Sequence, residues 1–202
     1  MDESKLAISL EALLAGNQVE FFRMVDAYSG PIYRMAVNML ANAVDAEDVL
    51  QNTFLKAFQH LKDFEGRSSL STWLYRIAAN EALMMIRKRR PEVDLVDLQS
   101  QDQDDRDYIP VQLTDWCCLP EQELLSTESR VVLDQAIQRL PEILRIVFIL
   151  RDLQGLSIQE TSQVLNLTES AVKTRLLRAR LRLREDLSVY FGQQVAGKAK
   201  KE

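Results

Sequence analysis

Between residues 91 and 119 the chain loses its hydrophobic periodicity, while on either side apolar residues return every three or four positions. This interruption predicts two helical bodies joined by a tether. Before it, Ile32, Met35, Ala36 and Met39 share one helical stripe, and Leu50, Phe54, Ala57 and Leu61 share another. After it come Ile143, Ile146, Val147 and Leu150, then Val172, Leu176 and Leu183 with Ala179 between. Residues 145–150 have the composition of a strand, but Pro141 opens a helix well and the apolar spacing is helical. With 6 Gly and 5 Pro in 202 residues, the composition argues against a turn-rich all-β fold, and the length suffices for a real core.

The expected fold is all-α, with two small helical domains at 5–90 and 120–187, an acidic flexible linker at 91–119 and a flexible tail at 188–202. In the first domain a short helix over 6–14 stops at Gly16-Asn17, and a second covers 19–28. Pro31 starts the third, and Asp45 caps the fourth, with Asp48 favourable at its N-terminus. Residues 64–69 form a loop, and a helix from Leu70 ends before Pro91. The second domain is read as helices over 120–140, 141–153, 157–165 and 168–187. A 29-residue coil spans about 30 Å on average and roughly 95 Å when stretched.

Charge is segregated along the chain. Residues 67–90 hold six Lys or Arg and one acid, Glu81, whereas residues 91–119 hold eight acids and one Arg. Residues 173–184 hold six basic residues and no acid. Two basic patches around an acidic segment fit a two-site nucleic-acid binder despite a net charge of −5, although each patch alone also fits a solvated helix face. Two adjacent cysteines, Cys117 and Cys118, make no disulfide framework, and the one histidine, His60, is distant in sequence, so no metal or cofactor is expected. The N-terminus Met1-Asp2-Glu3 is not basic and the uncharged stretches are short, so the expectation is a cytoplasmic protein without membrane insertion. No nucleophile–base set or phosphate loop points to an enzyme.

Ser157-Ile-Gln-Glu160 is a capping box. Its helix ends near Leu165, Asn166-Leu167 makes a turn, and Thr168 caps the next helix. Lys173, Arg175, Arg178, Arg180 and Arg182 occupy the faces outside the apolar stripe. Such a pair reads as a helix-turn-helix, with Ser162 and Asn166 where the template prefers a smaller residue and Gly. The alternative is a plain helical hairpin with a charged face. If about four cations meet phosphates, affinity falls with salt at a log–log slope near −3.6.

Trp73, Arg76 and Asn80 stand at i, i+3 and i+7, with Tyr75 and Arg87 nearby and Phe64 in the preceding loop. Aromatics beside Arg and Asn suit unpaired bases. Leu74, Ile77 and Ala78 already supply an inward stripe, so Trp73 and Tyr75 are expected at the surface rather than in the core.

Together these residues resemble the extracytoplasmic-function class (group 4) of bacterial sigma factors, in the sigma-70 family. Three stretches carry the likeness: Asp45-Ala-Glu-Asp-Val-Leu-Gln-Asn-Thr-Phe54 with Leu55-Lys-Ala-Phe58; Phe64-Glu-Gly66 with Ser71-Thr-Trp-Leu-Tyr-Arg-Ile-Ala-Ala-Asn80; and Leu140-Pro141 with Leu156-Ser157 through Arg178-Ala179-Arg180. The resemblance implies an initiation factor that binds core RNA polymerase, at the clamp helices of the largest subunit and at the flap, and recognises promoter DNA. It implies polymerase contacts from Asp45, Asp48, Gln51, Phe54 and Leu55. It implies −10 contacts from the loop residues Phe64, Arg67 and Ser68, and from Trp73, Tyr75, Arg76 and Asn80. The −35 duplex falls to Glu169, Ser170, Ala171, Lys173, Thr174, Arg175, Arg178 and Arg180. An anti-sigma partner is the implied regulator. The competing reading is a conventional helix-turn-helix repressor or activator that binds duplex DNA without polymerase.

Overall fold

The structure, a computed structural model, describes residues 8–89 and 127–198. Among the described residues there is no strand. Helix α1 (Leu10–Leu14) is capped by the Ser9 hydroxyl, which accepts from the Ala12 N–H at 3.3 Å. Helix α2 (Gln18–Leu40) is capped by Asn17, whose Oδ1 accepts from Val19 at 2.9 Å. The buried Glu20 ties the two together, accepting from the Ser9 N–H at 3.0 Å.

Two expectations are corrected here. Residues 19–28 and the segment after Pro31 are one continuous helix, with Pro31 inside it. Proline costs a ladder bond there, but Met24, Ile32, Met35 and Met39 on the same helix are buried and hold it in place. Asp45 does not cap the next helix. Helix α3 (Ala43–His60) starts earlier, with Asn42 Oδ1 accepting from Val44 at 2.9 Å and Asp45 at 3.3 Å. A single 3₁₀ turn (Leu61–Asp63) and the loop 64–69 lead into α4 (Leu70–Arg89). Arg87, Lys88 and Arg89 fill the last turn of α4, where cations suit the helix dipole.

In the second half, α5 (Thr127–Arg139) precedes α6 (Glu142–Phe148), which runs into a π-helical turn (Ile149–Leu153). Residues 145–150 are therefore helical, as the spacing predicts. Helix α7 (Ile158–Leu165) carries the capping box: the Ser157 Oγ accepts from Glu160 N–H at 3.1 Å, and Ser157 N–H donates to Glu160 Oε2 at 2.8 Å. Asn166 takes the left-handed conformation at φ 54°. Thr168 caps α8 (Glu169–Lys198), its Oγ1 accepting from Ala171 at 3.1 Å. Helix α8 runs on past Leu187, so the tail expected from 188 starts as helix. The start of the 120–140 helix before Thr127 and the 91–119 linker fall outside the described residues.

The two halves are not held apart. They share one hydrophobic core running from Leu13 to Leu187. Helix α4 lies against α7, and α2 against α5, α6 and the π turn. Polar contacts also cross the seam: Gln138 Nε2 donates to the Asn38 carbonyl at 2.6 Å, and the Tyr75 hydroxyl donates to Gln154 Oε1 at 3.0 Å. Thr72 Oγ1 donates to Glu160 Oε1 at 3.4 Å, linking α4 to the capping box itself.

Candidate nucleic-acid and polymerase interfaces

Three surfaces gather the residues singled out from sequence. The first is the outer face of α3. Asp48, Gln51 and Leu55 are exposed at i, i+3 and i+7, and Leu55 is 56% exposed despite being apolar. Phe54 is half-buried, and Asp45 pairs with Arg89 of α4. Phe58, 62% exposed, extends the face and packs edge-on against Phe21 with ring centroids 5.2 Å apart. The sequence pattern assigns Phe58 no role, although its i+3 spacing from Leu55 is the signal.

The second surface is a groove of about 470 Å³ between the end of α3 and the length of α4. Trp73, Ile77, Leu83 and Met84 give it apolar walls, Lys56, His60 and Arg87 bring basic side chains, and Asn80 and Glu81 face into it. The spacing 73, 77, 80, 84, 87 places the α4 residues on one face. Lys56 Nζ donates to Glu81 Oε1 at 2.5 Å, which ties α3 to α4 at the groove. Of the residues named from sequence, Trp73, Asn80 and Arg87 line the groove, while Arg76 is exposed. Lys56 and His60 were missed as site residues because they lie on a different helix.

Phe64 and Tyr75 stand differently from expectation. Phe64 is 7% exposed and packs on Trp73, centroids 5.1 Å apart, as its support. Tyr75 is also 7% exposed, not at the surface as expected, because the second half of the chain packs on α4, with Gln154 meeting its hydroxyl. Burial pushes its phenol up, against a smaller opposing effect of Arg34. Arg67 is exposed and paired with Glu65, and Ser68 is half-buried.

The third surface is the N-terminal part of α8. Glu169, Ser170 and Lys173 are exposed, and Thr174 is half-buried with its hydroxyl donating to the Ser170 carbonyl at 3.0 Å. Ala171 and Arg175 are buried at 6% and 4% exposure. They sit with Ala179 at i and i+4 intervals, so they belong to the inner stripe. Arg178 is half-buried. Arg180 grips Asp152 with both ends of its fork, Nε to Oδ2 at 2.9 Å and Nη2 to Oδ1 at 2.7 Å. That bond raises the guanidinium pKa further. Arg182 and Arg184 remain exposed further along α8.

Among the described residues no group of three or more His, Cys, Asp or Glu could hold a metal, and no helix is long and apolar enough to cross a membrane. Cys117 and Cys118 lie outside the described residues.

A helix-turn-helix packed beside a helical domain with an aromatic and basic groove defines a DNA-handling protein of two helical modules. The sigma-70 region 2 family model matches residues 24–92, and the sigma-70 region 4 model matches residues 130–183. The chain is 35% identical over 172 residues to the ECF RNA polymerase sigma factor SigW of Bacillus subtilis, covering 85% of this chain and 91% of that protein. It is 32% identical over 175 residues to the ECF RNA polymerase sigma-E factor of Escherichia coli, covering 86% and 89%. Among solved structures, it is similar to the sigma factor RpoE in complex with the anti-sigma factor NepR from Bartonella quintana. There the TM-score is 0.61 and the identity 26%, with 84% of this chain and 98% of that chain covered. The chain belongs to the ECF sigma factors of the sigma-70 family. It is a non-enzymatic initiation factor that directs RNA polymerase to promoters.

Proposed function

We propose that the α3 face of Asp48, Gln51, Leu55 and Phe58 docks on the clamp helices of the largest core polymerase subunit. The groove with Trp73 and Asn80 then holds the unpaired −10 strand, and the α8 surface of Glu169, Ser170 and Lys173 reads the −35 duplex. One observation carries this reading: an aromatic, cationic groove and an exposed helix-turn-helix end lie on two modules of one chain. A groove of that kind suits a single strand, because bases stack on Trp while cations meet the backbone. A capped helix N-terminus suits a major groove.

Two promoter elements more than one helical turn apart need reading surfaces separable by about 34 Å or more. The shared core and the seam contacts therefore have to part, with the linker expected at 91–119 as the tether. An anti-sigma factor of the kind bound by the Bartonella quintana relative is the partner we assign to the closed form, covering the α3 and α8 faces. Action with polymerase places the protein in the cytoplasm.

Run-off transcription from a fragmented host genome, with core polymerase alone and with the protein added, tests this. New start sites sharing two spaced elements are expected. Specific duplex binding by the free protein without any core-dependent start would favour the repressor or activator reading.

A further inference from the structure

Among the described residues, Glu81 is the one acid lining the groove between α3 and α4, and a carboxylate is a poor neighbour for a polyanion. Its side chain is 12% exposed and its Oε1 accepts from Lys56 at 2.5 Å. A carboxylate has two oxygens and about four acceptor positions, so one ammonium does not exhaust it. An ionised carboxylate only accepts hydrogen bonds. Against a base edge it is rewarded by an exocyclic amine, as in Glu accepting from cytosine N4. Cytosine, adenine and guanine each carry such an amine. Thymine does not: the edge it would pair with presents one N–H between two carbonyl oxygens, which face the carboxylate lone pairs.

Asn80, next in sequence and lining the same groove, offers both donor and acceptor, so it tolerates every base. Discrimination then falls to Glu81. Lys56 holds the carboxylate against the wall and offsets its charge toward the backbone phosphates.

We infer that Glu81 is a specificity-determining residue that excludes thymine from one position of the single strand in this groove, and admits bases bearing an exocyclic amine. The inference rests on the proposed −10 role of the groove.

The test uses holoenzyme reconstituted from core polymerase and the full chain, bound to a pool of single-stranded DNA randomised in sequence, with core alone as control. Base frequencies are read at each position of the retained strands. The expected result is one position at which thymine is depleted about fivefold or more, the lower bound for one discriminating contact. Glu81→Gln, which adds a donor at nearly the same shape, abolishes that depletion and leaves other positions unchanged. Lys56→Met breaks the same ion pair; it lowers retention of all strands but keeps the depletion. Depletion that survives Glu81→Gln, or is lost in both variants, overturns the inference, since Glu81 then acts only through its ion pair. Base selection without any thymine depletion in the unaltered protein overturns it too, while the groove reading stands. Retention no better than core alone overturns the groove reading itself.

Discussion

The guanidinium of Arg145, on α6, donates through Nη1 to the backbone carbonyl of Met39 at 2.9 Å, so the second domain satisfies the open end of a helix in the first. The last carbonyls of a helix have no intrahelical partners. Two of those in α2 find theirs across the seam, Met39 in Arg145 and Asn38 in Gln138. Arg145 is itself held by Gln138 Oε1, Gln138 O and Leu140 O, each at 2.9 Å. A fixed fork of donors fits this cluster of acceptors as a lysine would not.

Arg145→Met is therefore expected to destabilise the closed form. Hydrogen bonds to charged groups contribute about 1.5–3 kcal/mol each, and several share one side chain, so a net loss of about 2–3 kcal/mol is expected. Urea unfolding reads the loss, and a rise in radius of gyration by X-ray scattering reads the opening. Unchanged stability and dimensions would show that the Met39 contact contributes nothing to the seam.

A second expectation concerns pH. The Ser157 bonds, backbone first, hold the Glu160 carboxyl below its ordinary value of 4.5, against a smaller opposing effect of burial. A depressed folded-state pKa stabilises the protein above the ordinary value and loses that contribution as pH falls through the folded value. Stability should thus drop below about pH 4.5, and less so in Ser157→Ala, which is destabilised by about 1 kcal/mol at neutral pH through loss of the cap. Parallel unfolding midpoints for the two proteins from pH 7 to pH 3 would contradict this.

Much of this was readable from sequence, for a physical reason. Ser157, Glu160, Asn166 and Thr168 act within a few residues of themselves, and capping and turn chemistry are local. The inner stripe of α8 follows from spacing alone. What escaped depends on other elements. Pro31 looks like a start, and only the burial of Ile32, Met35 and Met39 keeps the helix going through it. Tyr75 looks like a surface aromatic because what meets its hydroxyl, Gln154 after the π turn, lies 79 positions away. Arg180 looks like a phosphate ligand until Asp152 is placed beside it. Arg175 is different: its place between Ala171 and Ala179 was legible, but the expectation for a basic residue prevailed over the period.

The two cation environments on α8 separate in a salt titration. Lys173 is exposed at the N-terminal surface of α8, whereas Arg180 is occupied by Asp152. Lys173→Ala should weaken holoenzyme binding to −35 duplex and reduce the log–log salt slope by about 1 if it meets one phosphate. Arg180→Ala should leave the slope unchanged and lower thermal stability instead, since it removes a bidentate pair. Equal slope changes in both would mean that Arg180 leaves Asp152 when DNA binds.

Trp73 gives the sharpest separation between docking and opening. It lines the groove on α4, rests on the buried Phe64, and is remote in sequence from the exposed α3 residues Asp48, Gln51 and Leu55. Base stacking on an aromatic contributes about 1–3 kcal/mol per base, while extracting a base costs a few kcal/mol, so the two nearly balance. Removing the platform tilts that balance against melting. Trp73→Ala should lower the fraction of open promoter complex, measured by permanganate reactivity of unpaired thymines, by roughly 5-fold or more. Core binding, measured by fluorescence anisotropy, should stay within about twofold. Phe64→Ala acts through Trp73 and adds a cavity cost of about 3–5 kcal/mol, so it should reduce both stability and opening. Trp73→Phe retains a smaller stacking face and should recover much of the opening. If Trp73→Ala lowers core binding as much as opening, the groove belongs to the polymerase interface and not to the melted strand.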